Sequence, residues 1–222
     1  AVEYHPTAAH WVLSEIIYRL SGMDYRQHLR EKLCEPCGVA NELFIGLPDP
    51  EQERAADSLF LHEPEARTGE INTRSIFHFN FPQQRLQGNP AAAGFATAAA
   101  VALYYQPLVN GGVTAEGTRL LKPETIERMT AVVTQGLKDA ASGLPASRSL
   151  GLIVAGDRPA ERGFGSKCSP RVFGHNGAGG QIAWADPESG LSFAYVTNGL
   201  CDPKHIQRRT NELSDLAVAC AR

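Results

Sequence analysis

The sequence predicts an α+β fold, an antiparallel sheet flanked by helices, and three observations carry that expectation. Apolar residues recur with helical period in several segments of the first two thirds of the chain. Short apolar runs of strand length, separated by Gly, Pro and Asp, fill the last third, and an amphipathic segment closes the chain. Helices followed by an antiparallel sheet and a covering helix bury both kinds of apolar face. The expected organisation is a mainly helical region over 1–148, with a long loop at 46–90, then antiparallel strands plus a C-terminal helix over 149–222.

Taken in order, Trp11, Leu13, Ile16, Ile17 and Leu20 predict a helix over 7–20, ended by Gly22. A charged helix over 25–34 stops before Pro36 and Gly38. Between 46 and 90 the pattern dissolves into Pro, Glu, Gln and Asn, and long loops of this kind often border a binding site. Inside it, Phe77, Phe79 and Phe81 alternate with His78 and Asn80, which reads as a half-buried strand, with an aromatic pocket wall as the second reading. The Ala-rich stretch 91–108 predicts a helix closed by Pro107 and Asn110-Gly111-Gly112. Pro123 opens another, over 123–135, with Ile126, Met129, Val132 and Val133 in one stripe. The runs 149–155, 181–186 and 191–197 predict strands, the last two joined as a hairpin by Pro187-Glu188-Ser189-Gly190. Ile206, Leu213, Leu216 and Val218 give the closing helix its apolar stripe.

At 222 residues the chain is long enough for a sizeable core, and its 43% hydrophobic and 20% charged composition is that of an ordinary globular protein. The formal net charge is −3 and the basic residues are interleaved with acids, so neither nucleic acid nor an anionic membrane is expected as a partner. No apolar run approaches the ~18 residues of a membrane-spanning helix. The chain opens on Ala1 at the entry to a helix, so its natural start is expected upstream, and a removed signal peptide is compatible with that. Cys34, Cys37, Cys168, Cys201 and Cys220 form an odd set with no repeated spacing, which suggests reduced thiols and leans towards the cytoplasm. Cys34-Glu35-Pro36-Cys37 has the form of a redox motif, but it sits at the end of a charged helix rather than at a strand-to-helix junction. His and carboxylate residues lack metal-ligand spacing, and no metal or other cofactor is implied.

Two places could carry chemistry. In Phe173-Gly174-His175-Asn176-Gly177-Ala178-Gly179-Gly180, four glycines surround one His on the way into an apolar strand. Glycines let a backbone pass close to another group, and exposed strand N–H groups can then stabilise an oxyanion; a flexible loop entering a hairpin is the plainer reading. The second place is Glu3-Tyr4-His5-Pro6, where a phenol beside a helix start could act as acid or base, although such a Tyr is more often a packing residue.

The order of these features resembles a known family. Tyr4-His5-Pro6, then Trp11-Val12-Leu13-Ser14-Glu15-Ile16-Ile17 and Ser21-Gly22, resemble the Tyr-x-Asn block and following helix of class C β-lactamases, DD-peptidases and related family VIII carboxylesterases. The stretch from Arg30 to Gly38 is similar to the family segment leading to a Pro-Leu-Gly turn. Phe173 to Gly180, followed by Asp186-Pro187 and Gly190-Leu191, resembles the Lys-Thr-Gly block in its His-x-Gly form. Asn110-Gly111-Gly112 and Leu120-Leu121-Lys122-Pro123-Glu124-Thr125 also match, so the similarity runs along nearly the whole chain.

In that family a Ser on a Ser-x-x-Lys helix attacks a carbonyl, Lys and Tyr exchange protons with it, and the Lys-Thr-Gly strand helps bind substrate. The resemblance implies that Tyr4 is the general acid/base partner and that His175 occupies the position of the third-motif Lys. It places Gly177 and Ala178 at the oxyanion and substrate-binding strand, with the Ala178 N–H as one oxyanion donor. Pro6 stands where β-lactamases usually have Asn, and His175 replaces Lys, which favours an ester or amide substrate over a β-lactam. No Ser in the chain has a Lys three residues later, so the nucleophile and the N-terminal part of the fold are expected to be missing and the chain cannot complete the covalent mechanism alone. Cys201-Asp202-Pro203-Lys204 has the Cys-x-x-Lys form by accident, because it contains Pro and follows the final strand.

The leading expectation is therefore part of a serine hydrolase acting on a small ester or amide substrate by acyl-enzyme chemistry. A non-catalytic binding or scaffolding member of the same fold is the second, and a thiol redox module on Cys34 and Cys37 the third. If part of the core is absent, the chain should expose apolar surface and depend on a complementing N-terminal segment or on homo-oligomerisation.

Overall fold

The computed structural model describes residues 1–5, 7–61, 73–140 and 142–221. The first helix, α1 (Ala8–Ser21), ends as its sequence predicts: Gly22 takes a left-handed conformation and its N–H bonds to the Tyr18 carbonyl. Asp24 caps α2 (Tyr25–Leu29), its carboxylate accepting from the Arg26 N–H at 2.9 Å. Arg30–Cys34 continues the rod as a π-helical turn, in which the Glu35 N–H reaches back to the Arg30 carbonyl at 2.8 Å. Strand β1 (Leu43–Ile45) follows.

The expected loop at 46–90 holds more structure than its composition suggests. It contains 3₁₀ turns at Asp49–Arg54 and Thr73–Asn80, a short strand β2 (Leu59–Phe60) and helix α3 (Pro82–Gln87). The strand expected at Phe77, Phe79 and Phe81 is not formed: the first two lie in the 3₁₀ turn and Phe81 precedes α3. Two contacts to the 58–60 segment decide this. The Asn80 side chain bonds both backbone groups of Ser58, at 2.8 and 2.9 Å, and Phe77 packs edge-on against Phe60 with ring centres 4.7 Å apart.

The helix expected over 91–108 starts late. Gly94–Ala96 is strand β3, paired antiparallel with β1 so that Phe95 lies opposite Phe44. Thr97 then caps α4 (Ala98–Val109) by accepting from the Ala100 N–H at 3.2 Å. Helix α5 (Pro123–Thr130) stops short of Gln135 because Ala131 turns to an extended conformation.

Strands β4 (Ile153–Val154), β5 (Phe173–Asn176), β6 (Ile182–Asp186) and β7 (Leu191–Tyr195) form one antiparallel sheet in that order. The run expected over 149–155 shrinks to two strand residues, with Gly151 at φ 88° just before them. The β6–β7 hairpin closes through the Gly190 N–H to the Asp186 carbonyl at 2.9 Å. Strand β8 (Gly199–Leu200) pairs in parallel with β2 instead of joining the sheet. Asp202 caps the closing helix α6 (Pro203–Cys220), accepting from the Lys204 and His205 N–H groups. That cap accounts for Cys201-Asp202-Pro203-Lys204 structurally.

Strand alternation sends successive side chains to opposite layers. Ile182 and the fully buried Trp184 face α6, in one cluster with Phe164, Val172 and Val218, and the Trp184 indole donates to the Ser214 hydroxyl at 3.0 Å. Phe173 and Ala185 face the other way, with Leu152 and Val154, onto Tyr105, Leu108 and Val109 of α4 and Met129 of α5. Helix α1 is packed less completely: only Ser14 is buried, while Trp11, Val12, Leu13, Ile16, Tyr18 and Leu20 are exposed. Among the described residues, no helix is long and apolar enough to cross a membrane.

Candidate active site

His175 owes its place to the period of β5. Phe173 fills the core beneath α4, and His175, two residues on, points to the same face at the strand's end, where the core gives way to solvent and the ring is half-buried. Gly174 between them lies opposite Trp184, and a Cβ there would come within 2.1 Å of the Ala183 carbonyl oxygen, so the glycine is needed for close strand packing.

The imidazole Nδ1 lies 2.7 Å from the Asn176 carbonyl oxygen. A carbonyl only accepts, so Nδ1 carries the proton and Nε2 is left as an acceptor in the neutral ring. Burial pushes His175 below its ordinary value of 6.5, with the Asn176 bond opposing and the charges of Arg148 and His10 adding to the depression. The ring is thus a neutral imidazole at neutral pH.

Tyr4 meets it from the segment before α1. The segment before α1 is tied down at Val2, whose N–H donates to the Lys138 carbonyl at 2.7 Å and whose carbonyl accepts from Ala140 at 2.8 Å. This anchor carries the Tyr4 ring to 5.9 Å from the His175 ring, tilted by 35°. Tyr4 is 44% exposed, so the phenol remains open to a ligand. The Arg148 guanidinium covers the Tyr4 ring at 5.0 Å from its centre.

Gly177 and Ala178 follow Asn176, the last residue of β5, at the turn between β5 and β6. The Gly177 N–H is taken up by the Gln181 carbonyl at 2.8 Å, which closes the hairpin. Ala178 stands exposed in the turn itself. Gly179 has φ 92°, and a Cβ there would come within 1.9 Å of Leu200 Cδ2, so the glycine run packs the turn onto β8. Pro6 lies outside the described residues.

Two residues of this cluster were not singled out in the sequence. Arg148 stands in a Ser-Arg-Ser stretch with no pattern of its own, and only the fold brings it over Tyr4. His10 had a faint signal, a His early in the helix that follows Tyr4, and its buried Nδ1 makes no hydrogen bond among the described residues. Among the described residues, no cluster of three or more His, Cys, Asp or Glu could hold a metal ion. A cavity of about 470 Å³ lined by Asp157, Arg158, Glu161 and Cys168, among others, shares no residue with the Tyr4 and His175 cluster.

The thiols are free. Cys34 is in a core cluster with Val39 and Ala100, and burial pushes its thiol up to about 11; Cys37 is raised for the same reason. Redox-active cysteines need the opposite shift.

The structure is thus an antiparallel sheet between helical layers, with a phenol and an imidazole meeting at the end of the central strand β5. The Beta-lactamase family model matches residues 1–217, and the chain belongs to that family. The esterase/beta-lactamase LipL of Mycobacterium tuberculosis is 29% identical over 90% of this chain and 49% of its own length. Among solved structures, a penicillin-binding protein homolog from Caulobacter crescentus superposes with a TM-score of 0.72 at 33% identity, over 93% of this chain and 57% of that one. A family VIII carboxylesterase does so with a TM-score of 0.78 at 26% identity, over 99% and 58%. The chain spans about half the length of the curated relatives it matches.

Proposed function

We propose that this chain supplies the acid-base and substrate-binding part of a serine hydrolase that cleaves ester or amide bonds through an acyl-enzyme. The observation that carries the reading is the contact between the Tyr4 phenol and a neutral His175 imidazole, brought together from distant parts of the chain. In the proposed reaction a Ser hydroxyl, from a Ser-x-x-Lys helix that these residues do not contain, adds to the substrate carbonyl. Its proton passes to the Tyr4 oxygen and on to the departing alcohol or amine, and water then releases the acid by the same route. The Ala178 N–H, whose neighbour at Gly177 is already bonded within the hairpin, is the oxyanion donor of this scheme. His175 binds with Nε2 as an acceptor, which suits a hydroxyl or N–H on the substrate better than the carboxylate a Lys would attract.

The exposed apolar face of α1 supports a complementing N-terminal segment, or a second copy, as the structural partner. The second reading is a binding or scaffolding member of the family, in which these residues work without a Ser-x-x-Lys helix. Hydrolysis of short-chain p-nitrophenyl esters, by the polypeptide carrying these residues together with a Ser-x-x-Lys helix, separates the two. Tyr4→Phe should lower kcat by about 100-fold or more. No hydrolysis by the parent would select the binding reading, and equal rates in parent and variant would remove the role of Tyr4.

A further inference from the structure

We infer that Arg148 is a positioning residue of this site, its guanidinium holding the Tyr4 ring against His175. The inference rests on the hydrolase reading only for its consequence in catalysis; the geometry stands by itself. Arg148 is fixed at its backbone, where its N–H donates to the Thr134 hydroxyl at 2.9 Å and its carbonyl accepts from the Val133 N–H at 2.8 Å. Its side chain reaches towards Asp139, with Nη2 3.8 Å from the carboxylate, and lays the guanidinium over the Tyr4 ring at 5.0 Å.

Asp139 belongs to the strip that anchors the N-terminal segment. Lys138 and Ala140, on either side of it, bond the backbone of Val2, and the Asp139 carboxylate also accepts from the Ser142 N–H at 3.0 Å and hydroxyl at 3.1 Å. The backbone therefore holds the segment leading to Tyr4, while the phenol itself is held by rings and charge: Arg148 on its face and His175 at 5.9 Å. A flat guanidinium can cover an aromatic face and keep its charge; an ammonium supplies the charge without the plane.

Arg148 also acts on the imidazole. Among the described residues, the Tyr4 ring faces His175, and the charges of Arg148 and His10 oppose its protonation. One side chain thus orients the phenol and helps keep its partner neutral, which joins two conditions that general acid-base chemistry needs together.

The test uses the 222-residue chain and two variants, Arg148→Met and Arg148→Lys, followed by NMR through the His175 ring. The expected result for Arg148→Met is loss of cross-ring contacts between Tyr4 and His175, with the His175 titration midpoint moving up. Arg148→Lys should keep the midpoint near that of the parent but weaken the cross-ring contacts. If Arg148→Met does not fold, the Arg148→Lys contacts still decide the matter. Parent-like contacts in either folded variant, or an unmoved midpoint in Arg148→Met, would overturn the inference. In the ester assay, a kcat lowered by about 10- to 100-fold at unchanged KM is the expected consequence of a misplaced phenol. Should the parent hydrolyse no ester, the hydrolase reading fails, while the NMR result still tests Arg148.

Discussion

The Tyr4 ring and the His175 ring lie 5.9 Å apart under a shared positive neighbour, Arg148. Their pairing joins the segment before the first helix to β5, so the site exists only once the sheet and the N-terminal anchor at Val2 are both in place. Folding and site chemistry are linked through His175.

That link has a definite pH dependence. Folding lowers the His175 value below 6.5, so between the folded value and 6.5 the unfolded chain binds more protons. The His175 contribution is therefore whole above 6.5, declines as pH falls through that value, and levels off below the folded one. Denaturant melts between about pH 5 and 8 should show a steeper loss of stability on acidification in the parent than in His175→Gln. Equal slopes would contradict the buried, neutral imidazole.

The hydrogen bond from the Trp184 indole to Ser214 is a polar link between the sheet and α6, and both residues are fully buried. Ser214→Ala leaves the indole N–H without its partner and should cost about 1–3 kcal/mol in denaturant unfolding. A loss below about 0.5 kcal/mol would mean that the helix shifts or that water takes over the bond.

Thiol labelling of the native chain should be ordered by burial. Cys220 is exposed and should react with an aromatic disulfide reagent first, whereas Cys34 and Cys168 are buried, with thiols pushed up to about 11 and 12, and should react only on unfolding. Rapid paired oxidation of Cys34 and Cys37 in the native state would restore the redox reading that their environment argues against.

The β6–β7 hairpin was legible in the sequence because Gly190 and the short apolar runs on either side of it act locally. The closing helix was legible for the same reason, through Pro203 and its apolar stripe. The segment at Phe77, Phe79 and Phe81 was misread because alternation alone does not tell a strand from a 3₁₀ turn; the deciding contacts, Asn80 to Ser58 and Phe77 to Phe60, are tertiary. The start of α4 was misplaced because high Ala content outweighed Gly94 and the Thr97 cap, which release Gly94–Ala96 to pair with β1. At the site, Tyr4 and His175 were visible as members of motifs. Arg148 and His10 were not, since an isolated charged residue gains meaning only from what the fold sets beside it.

The most direct measurement is a double-mutant cycle on Tyr4 and His175, read as kcat/KM for a p-nitrophenyl ester in the polypeptide that includes the nucleophile helix. The account predicts that Tyr4→Phe and His175→Gln each lower the value by about 100-fold, and that the double variant is little worse than the more damaged single one. Losses that multiply in full, or a single variant that retains the parent's rate, would contradict a site in which these two rings act as one unit.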